Sequence, residues 1–365
     1  MKMKMTAWAC LLFVLAGACT GQMFSPEEAG EGTLSISIFD GDGIPTRVSD
    51  AAEYAYEKKV NNVQLFLFEG ETLFRYTSVD TKNATFPYTQ TWPSLKAGNY
   101  KVYAVANAAG LEHVTTETEL LATAVRLSDC GLTEDSGFIM AGSSSVTVAA
   151  ASQTEIPLAL HRFVSRIRLV SLENDVPATY AGGGSVEIKG VFLINALGQW
   201  NIGGSGAPSE WVNLAGRTAG RHDSASPEDY IVSAGQVHPA AYGAQVYRSV
   251  TESVPRGTTQ QFPDCCLYSF PNPSVTDHTG NSVPASDGAL TRLVVLAGVN
   301  GADWWYPVTL VHDGKGLERN TTYDVRLVLK GTGSSDPNEP VVHGSLQAAL
   351  SVTGWTGSTE YTETI

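Results

Sequence analysis

The sequence predicts an all-β fold: two β-sandwich domains in tandem, with a few short helices. Composition is the first reason. Charged residues make up only 16% of the 365-residue chain and glycine is abundant, with 36 residues, a profile of strands and turns rather than of helices. Periodicity is the second. Stretches in which apolar and polar residues alternate recur along the length, as in 33–39 (TLSISIF) and 99–106 (NYKVYAVA). A period of two puts one set of side chains on a single face of a strand. Spacing is the third: turns rich in Gly, Pro and Asp separate these stretches irregularly, which suits sandwiches better than a barrel or propeller. No repeat of fixed period runs through the chain.

The chain opens with Lys2 and Lys4, then an apolar run over 6–15, then Leu15-Ala16-Gly17-Ala18-Cys19. That is the layout of a secretory leader, too short for a spanning helix. Small residues directly before a cysteine fit a bacterial lipoprotein signal, in which the Cys19 sulfur is acylated and becomes the first residue of the exported chain. An ordinary leader with an incidental cysteine is the alternative. Acyl chains contribute about 0.8 kcal/mol per buried methylene, so several chains hold a protein firmly at a membrane. Residues 20–32 are small and polar, as suits a tether.

The strand at 33–39 carries Leu34, Ile36 and Ile38 on one face and Thr33, Ser35 and Ser37 on the other. It runs into the loop Asp40-Gly41-Asp42-Gly43-Ile44-Pro45-Thr46-Arg47, where Arg47 stands alone among small and acidic residues. A cut after Arg47 would remove the lipid-bearing end and a whole strand together, leaving the rest of the fold incomplete.

Strands are predicted next at 60–68, 72–77, 85–92 and 99–106, with turns at Gly70-Glu71 and Lys96-Ala97-Gly98. Leu120, Leu121, Ala124 and Leu127 recur at helical spacing, so one or two short helices cross over the sheet within 110–129. Residues 138–140, 145–149 and 153–160 return to β. One set of strands ends near 157–162 and a second begins at 163–171. Further strands are expected at 185–194, 230–233, 267–270, 291–299, 304–311 and 321–330. Residues 331–340 (GTGSSDPNEP) form a hinge of sheet-breaking residues. Beyond it, 345–352 alternates once more, with Leu346, Ala348, Leu350 and Val352 on one face. This strand either completes its own sandwich or is spare.

Charge and chemistry exclude several classes. Asp and Glu outnumber Lys and Arg by 37 to 23, a net charge of −14, which argues against nucleic acid and anionic membrane surfaces as partners. Past the leader only Cys130, Cys265 and Cys266 remain, with no paired metal-ligand spacing. In a strand Cys265 and Cys266 would face opposite ways, so at most one should be buried; unpaired thiols are the expectation, with a Cys130 bridge to one of the pair as the alternative. The seven histidines are scattered. Asp40-Gly41-Asp42-Gly43 opens like a calcium loop but lacks the later ligands and closing Glu. No phosphate loop or nucleophile elbow is present, so neither a cofactor nor an enzymatic role is expected. Trp304-Trp305-Tyr306 suits core or hinge packing more than a glycan site.

Taken together, the chain resembles the type V pilins, or major fimbrillins, lipoprotein prepilins of Gram-negative gut and oral anaerobes. The likeness rests on Tyr100-Lys101-Val102-Tyr103-Ala104-Val105-Ala106-Asn107, Leu160-His161-Arg162-Phe163-Val164-Ser165-Arg166, Tyr268-Ser269-Phe270-Pro271-Asn272-Pro273 and Leu317-Glu318-Arg319-Asn320-Thr321-Thr322-Tyr323-Asp324-Val325, with the hinge, its strand and Trp355. Each piece is weakly specific; their order is the stronger signal. The resemblance implies two tandem transthyretin-like β-sandwich domains with a hinged C-terminal donor strand. The implied layout is a signal peptide over 1–19, a tether and removable strand over 20–47, sandwiches over 48–160 and 161–340, and donor strand and tail over 341–365. It further implies cleavage after Arg47 by an arginine-specific protease, with Val48 as the mature N-terminus, and polymerisation by donor-strand exchange between copies and related fimbrial subunits. The precursor would sit in the outer membrane and the product in a cell-surface fimbrium serving adhesion. Asp223-Ser224-Ala225 resembles a short O-glycosylation motif of such bacteria. The alternative is a minor tip or anchor subunit, or a surface-binding lipoprotein, that stays acylated.

Overall fold

The computed structural model describes residues 30–40, 54–181, 184–204, 211–212, 243–275, 290–335, 337, 339–341, 344–355 and 361–364. The N-terminal half contains β1 (Glu31–Asp40), β2 (Asn62–Glu69), β3 (Thr72–Asp80), β4 (Tyr88–Lys96), β5 (Gly98–Ala106), β6 (Ala124–Arg126), β7 (Met140–Val148) and β8 (Gln153–Arg162). Hydrogen bonds connect them in the order β3-β2-β5-β7-β8-β1-β4. Between β7 and β8 the ladder holds only at Met140–Arg162 and Ala141–His161. There the sheet turns a corner, separating β3-β2-β5-β7 from the three-stranded layer β8-β1-β4. The run Val63 to Phe68 is buried throughout β2, as its nearly continuous apolar sequence requires.

The second half contains β9 (Ser165–Asn174), β10 (Val186–Ile194), β11 (Ala196–Leu197), β12 (Gln199–Asn201), β13 (Trp211–Val212), β14 (Tyr247–Arg248), β15 (Glu252–Val254), β16 (Thr259–Gln261), β17 (Cys266–Ser269), β18 (Arg292–Val299), β19 (Ala302–Thr309), β20 (Thr321–Leu329), β21 (Leu346–Gly354) and β22 (Tyr361–Thr364). One sheet runs β14-β10-β18-β19, with β15 also on β10. The other runs β16-β9-β20-β21-β22, with β17 also on β9. The β18–β19 hairpin turns on Asn300 and Gly301, both at positive φ (52° and 77°), the pairing a two-residue hairpin loop favours. A continuous set of buried apolar side chains runs through both halves. A short ribbon also joins them, β6 pairing with β12.

Among the described residues there are four α-helices: α1 (Ala55–Lys58), α2 (Glu117–Ala122), α3 (Ala178–Ala181) and α4 (Gly243–Val246). Thr116 caps α2, its hydroxyl accepting from the Glu119 amide at 3.1 Å while Glu119 Oε2 accepts from the Thr116 amide at 3.1 Å. The predicted crossover is therefore there, but shorter than its spacing implied. Ala124 leaves the helix for β6 because pairing with β12 satisfies its backbone, and Leu127 starts a single 3₁₀ turn. The expected strand at 230–233 lies outside the described residues.

Candidate functional site

The layer built around β1 is the first functional feature. β1 runs parallel to β8, from Thr33–Gln153 to Asp40–Leu160. On its other edge it runs antiparallel to β4, from Glu31–Lys96 to Ile38–Tyr88. Among the described residues β4 ends the order of strands and shares a backbone ladder only with β1, while side-chain bonds from Thr77, Arg75 and Tyr100 tie it to the facing strands. Leu34, Ile36 and Ile38 are each 0% exposed, as their alternation predicts. On the opposite face Ser35 Oγ and Thr91 Oγ1 meet at 3.2 Å, and Ser37 Oγ and Thr89 Oγ1 at 3.4 Å. The start of the strand is tightly held: a Cβ on Gly32 would fall 2.3 Å from the Ala149 carbonyl oxygen. Burying three such side chains is worth on the order of 5–9 kcal/mol, comparable with the whole stability of an ordinary domain, about 5–15 kcal/mol.

The second feature is β21. It pairs antiparallel with β20 along its whole length, from Thr321–Gly354 to Leu329–Leu346. Its outer edge pairs with β22 from Ala349–Thr364 to Val352–Tyr361. Ala348 and Leu350 are buried, and Leu346 and Val352 are half-buried against the core. In the single chain, then, this strand completes its own sheet, one of the two arrangements its sequence allows. The segment before it is tied down as well: Ser334 and Trp305 exchange backbone hydrogen bonds at 2.7 and 3.1 Å, and Tyr306 Oη donates to the Gly331 carbonyl at 2.9 Å. Trp304, Trp305 and Tyr306 thus serve hinge and core packing.

A third feature was not legible in the sequence. Glu57, on α1, is fully buried and its carboxylate meets Arg166 Nη1 at 3.1 Å, with the two side chains 0% and 1% exposed. It also accepts from Tyr268 Oη at 2.8 Å and from the Tyr54 amide at 2.8 Å. Arg162 Nε donates to the Glu57 carbonyl at 2.7 Å. The guanidinium carbons of Arg162 and Arg166 each lie 4.8 Å from the centroid of the Trp355 ring, and Tyr268 stacks on the same ring at 6.2 Å. Burial pushes the Tyr268 hydroxyl pKa strongly up, with the Glu57 charge adding to it, so Tyr268 stays a donor.

The cysteines depart from expectation in one respect. Cys130, Cys265 and Cys266 are free thiols, as predicted, but Cys265 and Cys266 are both buried. β17 begins only at Cys266, and Cys265 sits in the preceding turn, its amide bonded to the Phe262 carbonyl at 3.4 Å. The two are therefore not consecutive strand residues. Burial pushes Cys130 and Cys265 up to about 12 and Cys266 to about 11, which suppresses the reactive thiolate. Among the described residues no three His, Cys, Asp or Glu converge as metal ligands, and no helix is long and apolar enough to cross a membrane. Cys19, Arg47, Val48 and Asp223-Ser224-Ala225 lie outside the described residues.

Known proteins resemble this arrangement. Residues 32–186 match the family model described as Major fimbrial subunit protein (FimA), a match that begins inside β1. No curated protein sequence matches the chain. Among solved structures, a candidate cell adhesion protein from Bacteroides eggerthii DSM 20697 has a TM-score of 0.62 at 20% identity, covering 90% of this chain and 97% of its own. A fimbrilin from Porphyromonas gingivalis W83 has a TM-score of 0.58 at 14% identity, covering 90% and 99%. The tip fimbrial protein Mfa3 from Porphyromonas gingivalis, truncated at its C-terminus, has a TM-score of 0.53 at 12% identity, covering 89% and 100%. At these identities the likeness to solved structures speaks for the fold.

Proposed function

We propose that this chain, which is of the major fimbrillin type, is a structural fimbrial subunit that polymerises when its first strand is replaced by the last strand of another copy. The precursor is exported as a lipoprotein acylated at Cys19, held at the outer membrane, and cut after Arg47 by an arginine-specific protease, so that Val48 begins the mature chain. Assembly then carries it into a cell-surface fimbrium that supports adhesion. The observation that carries this reading is the place of β1. It is bonded on both edges, it buries three large side chains, and among the described residues it is the one strand whose backbone ladder reaches β4.

Cleavage by itself does not eject β1, because both ladders and the buried face survive the cut. Once β1 leaves, β4 and β8 expose unpaired backbone on either side of an apolar slot, a template for strand addition. Leu346, Ala348, Leu350 and Val352 repeat the alternation of Leu34, Ile36 and Ile38 and suit that slot. The new joint opens slowly, since the strand must leave as a unit.

Arg47→Ala, or removal of residues 341–365, should abolish heat-resistant ladders on denaturing gels and leave lipid-anchored or monomeric protein. Ladders that persist in both variants overturn the mechanism. A second reading, a tip or anchor subunit that keeps its acyl group, is favoured by one observation: β21 is fully paired within its own sheet. N-terminal sequencing of surface material separates the two, a start at Val48 supporting the polymerising subunit and an acylated Cys19 the anchored one.

A further inference from the structure

The two ends of the proposed strand exchange meet in one buried cluster. α1 is the first described element after Arg47, and its Glu57 is locked between Arg166, Tyr268 and the Tyr54 amide. Trp355 directly follows β21 and is 1% exposed. Its ring lies 4.8 Å from each guanidinium carbon of Arg162 and Arg166, packs edge-on to Phe138 at 6.0 Å and stacks on Tyr268. Its amide donates to the Asn320 carbonyl at 2.9 Å. The same two arginines therefore serve both ends: they bind Glu57 by charge and hydrogen bond, and Trp355 through the ring face.

We propose that the Glu57–Arg162–Arg166–Trp355 cluster is a latch that keeps β21 in its own sheet and couples the release of that strand to the segment downstream of the cut. Withdrawing β21 for insertion into another copy requires Trp355 to leave the two arginines, which Glu57 helps hold, Arg166 through its carboxylate beside Thr322 and Arg162 through its backbone carbonyl. The Trp355 site is strong but not saturated. Among the described residues its indole N–H is buried with no hydrogen-bond partner, although a buried tryptophan ordinarily finds an acceptor for this group. Packing and cation–π attraction hold the ring while an unmet donor opposes its burial. This is the balance expected of a contact built to open. The latch rests on the proposed role of β21 as donor, but it makes its own claim about the uncut chain.

Amide hydrogen exchange of the full, uncut chain tests it. Trp355→Phe keeps an aromatic ring in place but weakens the cation–π attraction. The amides of β21 should then exchange about three- to thirtyfold faster, with those of β18 unchanged. Glu57→Gln should accelerate β21 as well, although no hydrogen bond joins Glu57 to that strand among the described residues. The double variant should do no more than the larger single effect, because both act through one cluster. Exchange of β21 that is unchanged in Trp355→Phe overturns the latch, as does equal acceleration of β18 and β21, which would mark a merely structural role. If β21 exchange rises as expected but the cut protein forms no ladders, the latch stands and the polymerisation mechanism falls.

Discussion

At the scale of single residues, the proposed exchange gives buried side chains different lifetimes. Ile36 is fully buried in the precursor, yet in the proposed fimbrium its strand is gone. Ile36→Ala should therefore destabilise the uncut chain by about 2–5 kcal/mol, read from urea unfolding. The heat resistance of assembled ladders should be untouched. A variant that weakened both would place Ile36 in the mature structure. Glu57 is expected to behave oppositely, because it lies past the proposed cut and would stay. Glu57→Ala leaves Arg166 buried without its carboxylate, and breaking a buried pair this way costs about 3–5 kcal/mol. Urea unfolding of both the uncut and the cut protein should show that loss; an effect below about 1 kcal/mol in both would contradict the role given to the pair. The alternation of Leu34, Ile36 and Ile38 was plain in the sequence. Glu57 was not, because a carboxylate is buried only when partners distant in the chain converge on it. Arg162 and Arg166 stand 105 and 109 residues away, and no spacing announces them.

At the scale of elements, strands that bury a face were legible and strands that do not were missed. β2, β5, β18 and β20 write their burial into the order of apolar residues, and they fall where the sequence predicts. β22 is Tyr-Thr-Glu-Thr. It is a strand because it pairs along the edge of β21, not because its composition asks for one. α1 is four residues long, too short for a helical period to register. β6 illustrates a third case: Val125 is buried while Ala124 and Arg126 are exposed, a pattern compatible with helix or strand until β12 lies beside it. β21 is the most instructive element. Its alternation is clear, but alternation states only that one face wants to be covered. Whether β20 of the same chain or the slot of another copy covers it is a matter of competing ladders. Deleting residues 341–365 therefore has two consequences in this account: it removes the donor and uncovers the edge of β20.

At the scale of the whole molecule, the two halves are welded rather than merely strung together. β6 and β12 pair across them, Gly203 and Leu121 approach so closely that a Cβ on the glycine would fall 2.9 Å from the Leu121 Cβ, and the Glu57 cluster bridges them again. In the proposed fimbrium each subunit would be stiff, and the joints would be the exchanged strands. The most direct measurement of the central claim is a cryo-electron microscopy reconstruction of the assembled fimbrium, resolved well enough to assign side chains between β8 and β4. Strand exchange places Leu346, Ala348, Leu350 and Val352 of a neighbouring copy in that slot, with the chain itself beginning at Val48. Leu34, Ile36 and Ile38 of the same chain in the slot, still joined through Arg47, would contradict it.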